Sequence, residues 1–271
     1  MTGGWDTALW RVQTGASTSA LRVFRAEQAD TFRREARAMR AAAQAGIPVP
    51  TIQAEGICAG RPALLLSWCA GLPLLNAVRA RPWRIWQLGL MMGRMHARIH
   101  AVHVPESAAL PAWVPRVEDG DATLHTRLRS LTAGSAAVLL HLDYHPLNIM
   151  SDATRITGVL DWANVAVGDP RVDVARTVTI LRLVPTPPGS MPTAVTLGLR
   201  RVLEVAWRRG YVAITGPSQD MAAFYAWAGA MMERDLAAKI GRPGIWLQKG
   251  DLAGIHRWTQ RWSTLASHRR L

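Results

Sequence analysis

Between residues 138 and 176 the sequence sets polar side chains densely among apolar runs: His141, Asp143, His145 and Asn148, then Asp161, Asn164, Asp169 and Asp173. Asp143 and Asn148 follow one short apolar run, Val138 to Leu142, and Asp161 stands at the end of the next, Ile156 to Leu160. Read as two strands with a hairpin-like return, these runs bring Asn148 and Asp161 to one pocket. Two hard oxygen donors facing one space suit a magnesium–phosphate complex. A third, uncoordinated carboxylate beside them, Asp143, is placed to accept a proton from a hydroxyl nucleophile.

The interval from His141 through Asp143 to Asn148 is H-x-D-x-x-x-x-N, the spacing of a kinase catalytic loop. Asp161-Trp162-Ala163 then stands where protein kinases carry Asp-Phe-Gly. With Gly158-Val159-Leu160 before it and Gly168-Asp169-Pro170 and Asp173 after it, the segment resembles the aminoglycoside phosphotransferase family, a group related to choline and homoserine kinases. The Asp-Trp form and the Gly-Asp-Pro turn lean toward its macrolide and hygromycin kinases. The resemblance covers almost the whole chain. It implies an α+β, two-lobed protein-kinase-like fold and transfer of the γ-phosphate of ATP or GTP to a hydroxyl of a small molecule.

Further roles follow from that resemblance. Asn148 and Asp161 would hold Mg²⁺, Asp143 would orient the acceptor hydroxyl, and His141 and Asp173 would brace the loop. Gly3-Gly4 is similar to the family's nucleotide loop. Arg22 sits where the family carries a phosphate-binding lysine or arginine, and Glu35 matches its helix partner. Ser67-Trp68-Cys69-Ala70-Gly71 would be the hinge that meets a purine edge. His96, in Gly93-Arg94-Met95-His96, is read as structural; His145 either shapes the pocket or contacts the substrate. The chain departs from the family in two places. Its glycine pair begins two residues after Met1, so the strand that normally precedes this loop is not expected here, and Leu142 replaces the usual glycine between the histidine and the aspartate.

The rest of the sequence must position these groups. Strand-like runs at Ala8 to Gln13 and Ala20 to Phe24 flank a turn-rich Thr14 to Ser19. Asp30 is the expected N-cap of a helix running to Ala45, stopped by Gly46 and Pro48. Thr51 to Ile57 and Ala63 to Trp68 read as strands, the second central because it is nearly all apolar. Residues 1–69 thus form an expected small lobe and 70–271 a mainly helical large lobe. Trp83 to His103 reads as one long helix with Trp86, Leu90, Met91 and Met95 on its buried face. Further helices are expected over Asp169 to Leu183, Thr193 to Arg209, Gln219 to Ile240 and Asp251 to Ala266, with a break over Pro185 to Pro192.

Composition limits the partners. The 271 residues carry a net charge of +13, almost all of it from dispersed arginine, with only two lysines and no run of five basic residues. That pattern favours a solvated basic surface over a nucleic-acid site. No apolar run is long enough to span a bilayer. Cys58 and Cys69, read as small buried hydrophobes, are too few for a disulfide framework and fit a reducing cytoplasm. The expected acceptor site draws on the helices after the catalytic segment: Trp227, Met231, Met232, Glu233 and Asp235, with Trp246. A basic chain suits a polycationic aminoglycoside poorly, and the tryptophans favour a bulky, partly apolar, macrolide-like acceptor. The competing readings are a kinase-like module that binds nucleotide without transfer and a basic nucleic-acid-binding protein.

Overall fold

The computed structural model describes residues 8–105, 108–115, 121–152, 154–188 and 193–268. The glycine pair Gly3-Gly4 lies outside them. The described chain begins with a hairpin, β1 (Ala8–Thr14) and β2 (Ser17–Val23), whose turn is only Gly15-Ala16. The expected turn was longer. Thr14, Ser17, Thr18 and Ser19 are instead paired across the ladder, Thr14 opposite Ser17 and Val12 opposite Ser19, because Gly15 at φ +59° closes the turn by itself.

Helix α1 (Ala29–Gln44) follows. Asp30 does not cap it. A 3₁₀ turn over Ala26–Gln28 precedes the helix, the Gln28 side chain accepts from the Arg25 N–H, and Asp30 sits inside the first turn paired with Arg33. Gly46 at φ +73° ends the segment as expected. Strands β3 (Ile52–Cys58) and β4 (Arg61–Ser67) complete an antiparallel sheet in the order β1-β2-β4-β3, with the apolar β4 in the middle.

The chain then crosses to the helical part through β5 (Leu72–Pro73) and α2 (Leu74–Ala80). Helix α3 (Ile85–His100) buries Ile85, Leu88, Met92, Met95, His96 and Ile99, so the expected stripe is rotated. Trp86 is exposed, and Leu90 and Met91 are only half-buried. The reason lies in two glycines. A Cβ at Gly93 would fall 2.0 Å from the Trp207 carbonyl oxygen, and one at Gly89 would fall 2.6 Å from the Ala206 Cβ. The bare backbone on that face lets the later helix that carries Ala206 and Trp207 lie directly against α3, which outweighs the larger apolar residues on the other side.

After α4 (Ala122–Thr132) come the short strands that carry the polar segment: β6 (Val138–Leu140), β7 (Ile149–Ser151), β8 (Ile156–Val159) and β9 (Ala166–Gly168). Strands β7 and β8 pair antiparallel, as do β6 and β9. Helices α5 (Pro170–Leu183), α6 (Thr193–Thr215), α7 (Ala222–Ala237) and α8 (Ala253–His268) finish the chain. Asp169 caps α5 by accepting from the Arg171 N–H. One apolar core runs from Phe24 and Leu64 through α3 and α5 to Trp207 and Trp227. Cys58 and Cys69 are free and only partly buried, not the core residues expected. Among the described residues no helix is long and apolar enough to cross a membrane.

Candidate active site

The polar segment turns back on itself at the junction of the sheet lobe and the helical lobe. Strand β7 leaves the loop directly after Asn148, and the Leu160 N–H donates to the Asn148 carbonyl at 2.8 Å. That hydrogen bond sets Asp161 beside the loop. The Asn148 Nδ2 donates both to the Asp143 backbone carbonyl at 3.0 Å and to its Oδ2 at 3.2 Å. Both bonds use the amide nitrogen, so the side-chain oxygen is the atom left to face a cation.

Two backbone positions here adopt φ values that side chains rarely take: Leu142 at +61° and Asp161 at +60°. Leu142 stands where glycine is usual, and the left-handed conformation is the reason glycine suits that position. The loop is forced into this shape from below. The buried Asp173 on α5 accepts from the His141 N–H at 2.5 Å and the Leu142 N–H at 3.0 Å. Strain of this kind persists only where surrounding bonds over-determine it.

His141 is fully buried and does not face the cleft. Its Nε2 donates to the Leu160 carbonyl at 2.9 Å and its Nδ1 accepts from the Asp143 N–H at 3.3 Å, a pairing that requires the neutral ring. Burial lowers its pKa accordingly. The Trp162 ring lies 4.7 Å from it, and the Trp162 indole donates to the Val159 carbonyl. Asp143 is partly exposed. Burial pushes its carboxyl up, but His145, 3.6 Å away, together with Arg176 and His141, overcomes this and holds it down at about 2.

The sheet lobe contributes a cation. Arg22 on β2 donates through Nη1 to Glu35 on α1 at 2.8 Å and through Nη2 to Asp161 at 3.0 Å. Burial pulls this guanidinium's pKa down, and the two carboxylates carry it above its usual value. Burial pushes the Glu35 carboxyl up to about 7 against the pull of Arg22. The Arg22 Nε is buried without an acceptor among the described residues. A second tie between the lobes is Arg34, whose guanidinium donates twice to the Ala163 carbonyl.

The remaining expected site residues divide. Ser67 ends β4 with its hydroxyl accepting from the Thr51 N–H, Trp68 is exposed beneath Arg11, and Cys69 packs against Gly158. On α7, Trp227 is not a cleft residue: it is buried in the core, edge-on to Trp113 at 5.2 Å. Glu233 points away, to His256 of α8 at 3.1 Å. Met231 is half-buried against the core, Met232 is buried in a smaller cluster that includes Trp246, and Asp235 reaches Arg176 of α5. The helical period explains the split, since positions 227, 231 and 235 share a face and 233 does not. The sequence reading missed Arg176. Its signal was a guanidinium in the mostly apolar stretch from Val172 to Ile180, three residues after Asp173.

Comparison with known proteins gives a family and a fold. Residues 1–227 match the model of the phosphotransferase enzyme family. No curated protein sequence matches. Among solved structures, a thermostable variant of aminoglycoside phosphotransferase APH(4)-Ia, in ternary complex with AMP-PNP and hygromycin B, superposes with a TM-score of 0.64 at 15% identity over 98% of this chain and 92% of that one. Amicoumacin kinase hAmiN in complex with AMP-PNP, Ca²⁺ and Ami gives 0.64 at 16% identity over 97% and 87%. The macrolide 2′-phosphotransferase MphH from Brachybacterium faecium gives 0.54 at 18% identity over 97% and 88%. At these identities the structures speak for the fold, a two-lobed kinase-like α+β architecture, and the family match speaks for the chemistry: the chain belongs to the phosphotransferase enzyme family.

Proposed function

We propose that the protein transfers the γ-phosphate of ATP or GTP to a hydroxyl of a small molecule in the cleft between the sheet lobe and the helices. The observation that carries this is the meeting of Asn148, Asp143 and Asp161 with Arg22 at one junction. Asp143 stays ionised at every working pH and accepts the acceptor's proton as transfer proceeds. Asn148 and Asp161 supply the oxygen donors that Mg²⁺ prefers. Arg22, braced by Glu35, is the cation that would meet phosphate oxygens. The residues therefore fit a magnesium–nucleotide complex, whose bound cation neutralises the charge of the transferring group. His141 and Asp173 position the loop and do not take part in proton transfer. Positioning and charge stabilisation supply the catalysis.

Ser67, Trp68 and Cys69 are the proposed purine hinge, and Gly3-Gly4 the proposed phosphate loop. Trp227 belongs to the core, so the aromatic argument for a macrolide-like acceptor weakens. The charge argument against a polycation remains, since the chain carries a net charge of +13. The test is direct detection of a phosphorylated product by mass spectrometry with Mg²⁺·ATP or Mg²⁺·GTP. The acceptor panel spans macrolides, aminoglycosides, choline, homoserine and sugar acids. Product with at least one acceptor, absent when Asp143 is replaced by Asn, supports the reading. ADP formation that persists in the Asp143→Asn variant refutes the role of Asp143.

A further inference from the structure

Two neighbouring helices present apolar and cationic side chains to solvent, and no carboxylate. From Gly56 to Pro105, a stretch that includes α2 and α3, the chain has six arginines and neither aspartate nor glutamate. Helix α6 has a single acid, Glu204, which is buried and held by Arg182.

The two helices lie side by side and run the same way. Gly89 of α3 meets Leu203 and Ala206, and one turn later Gly93 meets Trp207 and Tyr211. The start of α3 is therefore level with the first half of α6. That end is apolar on its outer side. Trp83, in the 3₁₀ turn that leads into α3, is 76% exposed, and Trp86, three residues on, is 42% exposed. On α6, Val195 and Val202 are 49% and 39% exposed and, seven residues apart, share one side of the helix. Arginines stand around them. Arg79 and Arg81 precede Trp83, and Arg94 and Arg209 lie further along α3 and α6. All four are exposed and form no ion pair among the described residues. The other side of α3 is buried, and there the Met92 carbonyl accepts from the Tyr144 hydroxyl of the catalytic loop at 2.8 Å. The exposed face thus points away from the catalytic loop.

We propose that this face docks on an anionic lipid bilayer, with Trp83 and Trp86 entering the boundary between headgroups and acyl chains and the arginines meeting lipid phosphates. Charge and apolar content together select this partner. Unpaired arginines with no neighbouring acid call for a negative surface. Tryptophan, with an apolar ring and a polar N–H, suits the membrane interface, and exposed valines beside it gain from acyl contact. A second copy of the chain would set arginine against arginine with no acid to answer it. A nucleic acid would meet the arginines and stack on the tryptophans, but it offers nothing to Val195 and Val202.

The experiment sediments the full chain with phosphatidylcholine vesicles prepared with and without phosphatidylglycerol. Binding to the anionic vesicles should be at least about tenfold tighter and should weaken as salt rises. Trp83→Ala with Trp86→Ala should cost about tenfold or more. Arg79→Gln with Arg81→Gln should cost about fivefold for each arginine. Arg242→Gln with Arg257→Gln removes the same charge from exposed positions outside these helices and should change binding less than about twofold. Every substituted side chain is exposed, and matching circular dichroism spectra check that the variants fold. Failure to bind the anionic vesicles overturns the proposal. So does an equal loss in the Arg242 and Arg257 variant, which would reduce the effect to net charge, or undiminished binding without the tryptophans. Duplex DNA bound in place of vesicles and released by the same substitutions would assign the face to nucleic acid. A dimer in analytical ultracentrifugation that the tryptophan substitutions dissolve would assign it to a second copy. Either result overturns the lipid assignment.

Discussion

Arg22 and Asp161 are 139 positions apart in sequence and 3.0 Å apart in space, and the bond between them ties the sheet lobe to the catalytic segment. The same guanidinium holds Glu35, so one buried cation stands between two carboxylates.

Asp161→Ala should therefore weaken metal-dependent nucleotide binding by more than tenfold and leave the melting temperature within a few degrees. Asp161 is partly exposed, and its loss leaves Arg22 paired with Glu35. Calorimetry with Mg²⁺·AMP-PNP measures this. Equal affinity in the variant would remove Asp161 from the metal site.

Asp173 is the reverse case, a carboxylate that matters through the backbone. It accepts two loop N–H groups and lies 3.3 Å from both the His96 and His100 Nε2 atoms. Burial pushes its carboxyl up, and the two histidines help carry it well below the usual range. Asp173→Ala leaves those donors buried and unpaired, so a loss of about 3–5 kcal/mol in urea unfolding is expected. A change below about 1 kcal/mol would contradict the bracing role.

The histidine cluster gives a pH signature. Burial, with repulsion from His100, lowers His96 from 6.5 to about 4 against the pull of Asp173. Its folded pKa lies below its unfolded one. As pH falls through 6.5 the unfolded chain takes up a proton that the folded chain refuses. The His96 contribution is thus complete above pH 6.5 and is lost progressively down to pH 4, by about 3 kcal/mol. Urea midpoints from pH 7 to pH 4.5 should fall more steeply in the native protein than in His96→Phe. Parallel slopes would contradict the assignment.

Gly93 tests the packing of α3 on α6. Its missing side chain leaves room for the Trp207 carbonyl, and any Cβ there meets backbone rather than a flexible side chain. Gly93→Ala should cost about 2–3 kcal/mol, read by thermal unfolding. An unchanged melting temperature would mean that the helices separate freely.

Much of the site was legible because its chemistry is local. The interval from His141 to Asn148 fixes a single loop, and two short antiparallel strands return the chain to Asp161. The placement of Arg22 and Glu35 came from resemblance, since nothing local marks a residue whose partner is 139 positions away. What the sequence hid was decided by packing. The glycines of α3 outweigh its tryptophan and methionines in choosing the buried face. On α7, Trp227 and Glu233 are both chemically plausible pocket residues, but one is core and the other faces α8. Arg176 gave only a weak signal, because its partner Asp235 arrives from another helix.

The central claim is that Asp143 takes the proton of an acceptor hydroxyl while Asn148 and Asp161 hold the nucleotide's cation. Native protein and Asp143→Asn would be incubated side by side with Mg²⁺·ATP and the acceptor panel, with phosphorylated product read by mass spectrometry and Mg²⁺·AMP-PNP affinity by calorimetry. Product is expected from the native protein, with a loss of at least a hundredfold in the variant and nucleotide affinity within a few-fold in both. Product formed equally by both proteins would contradict it.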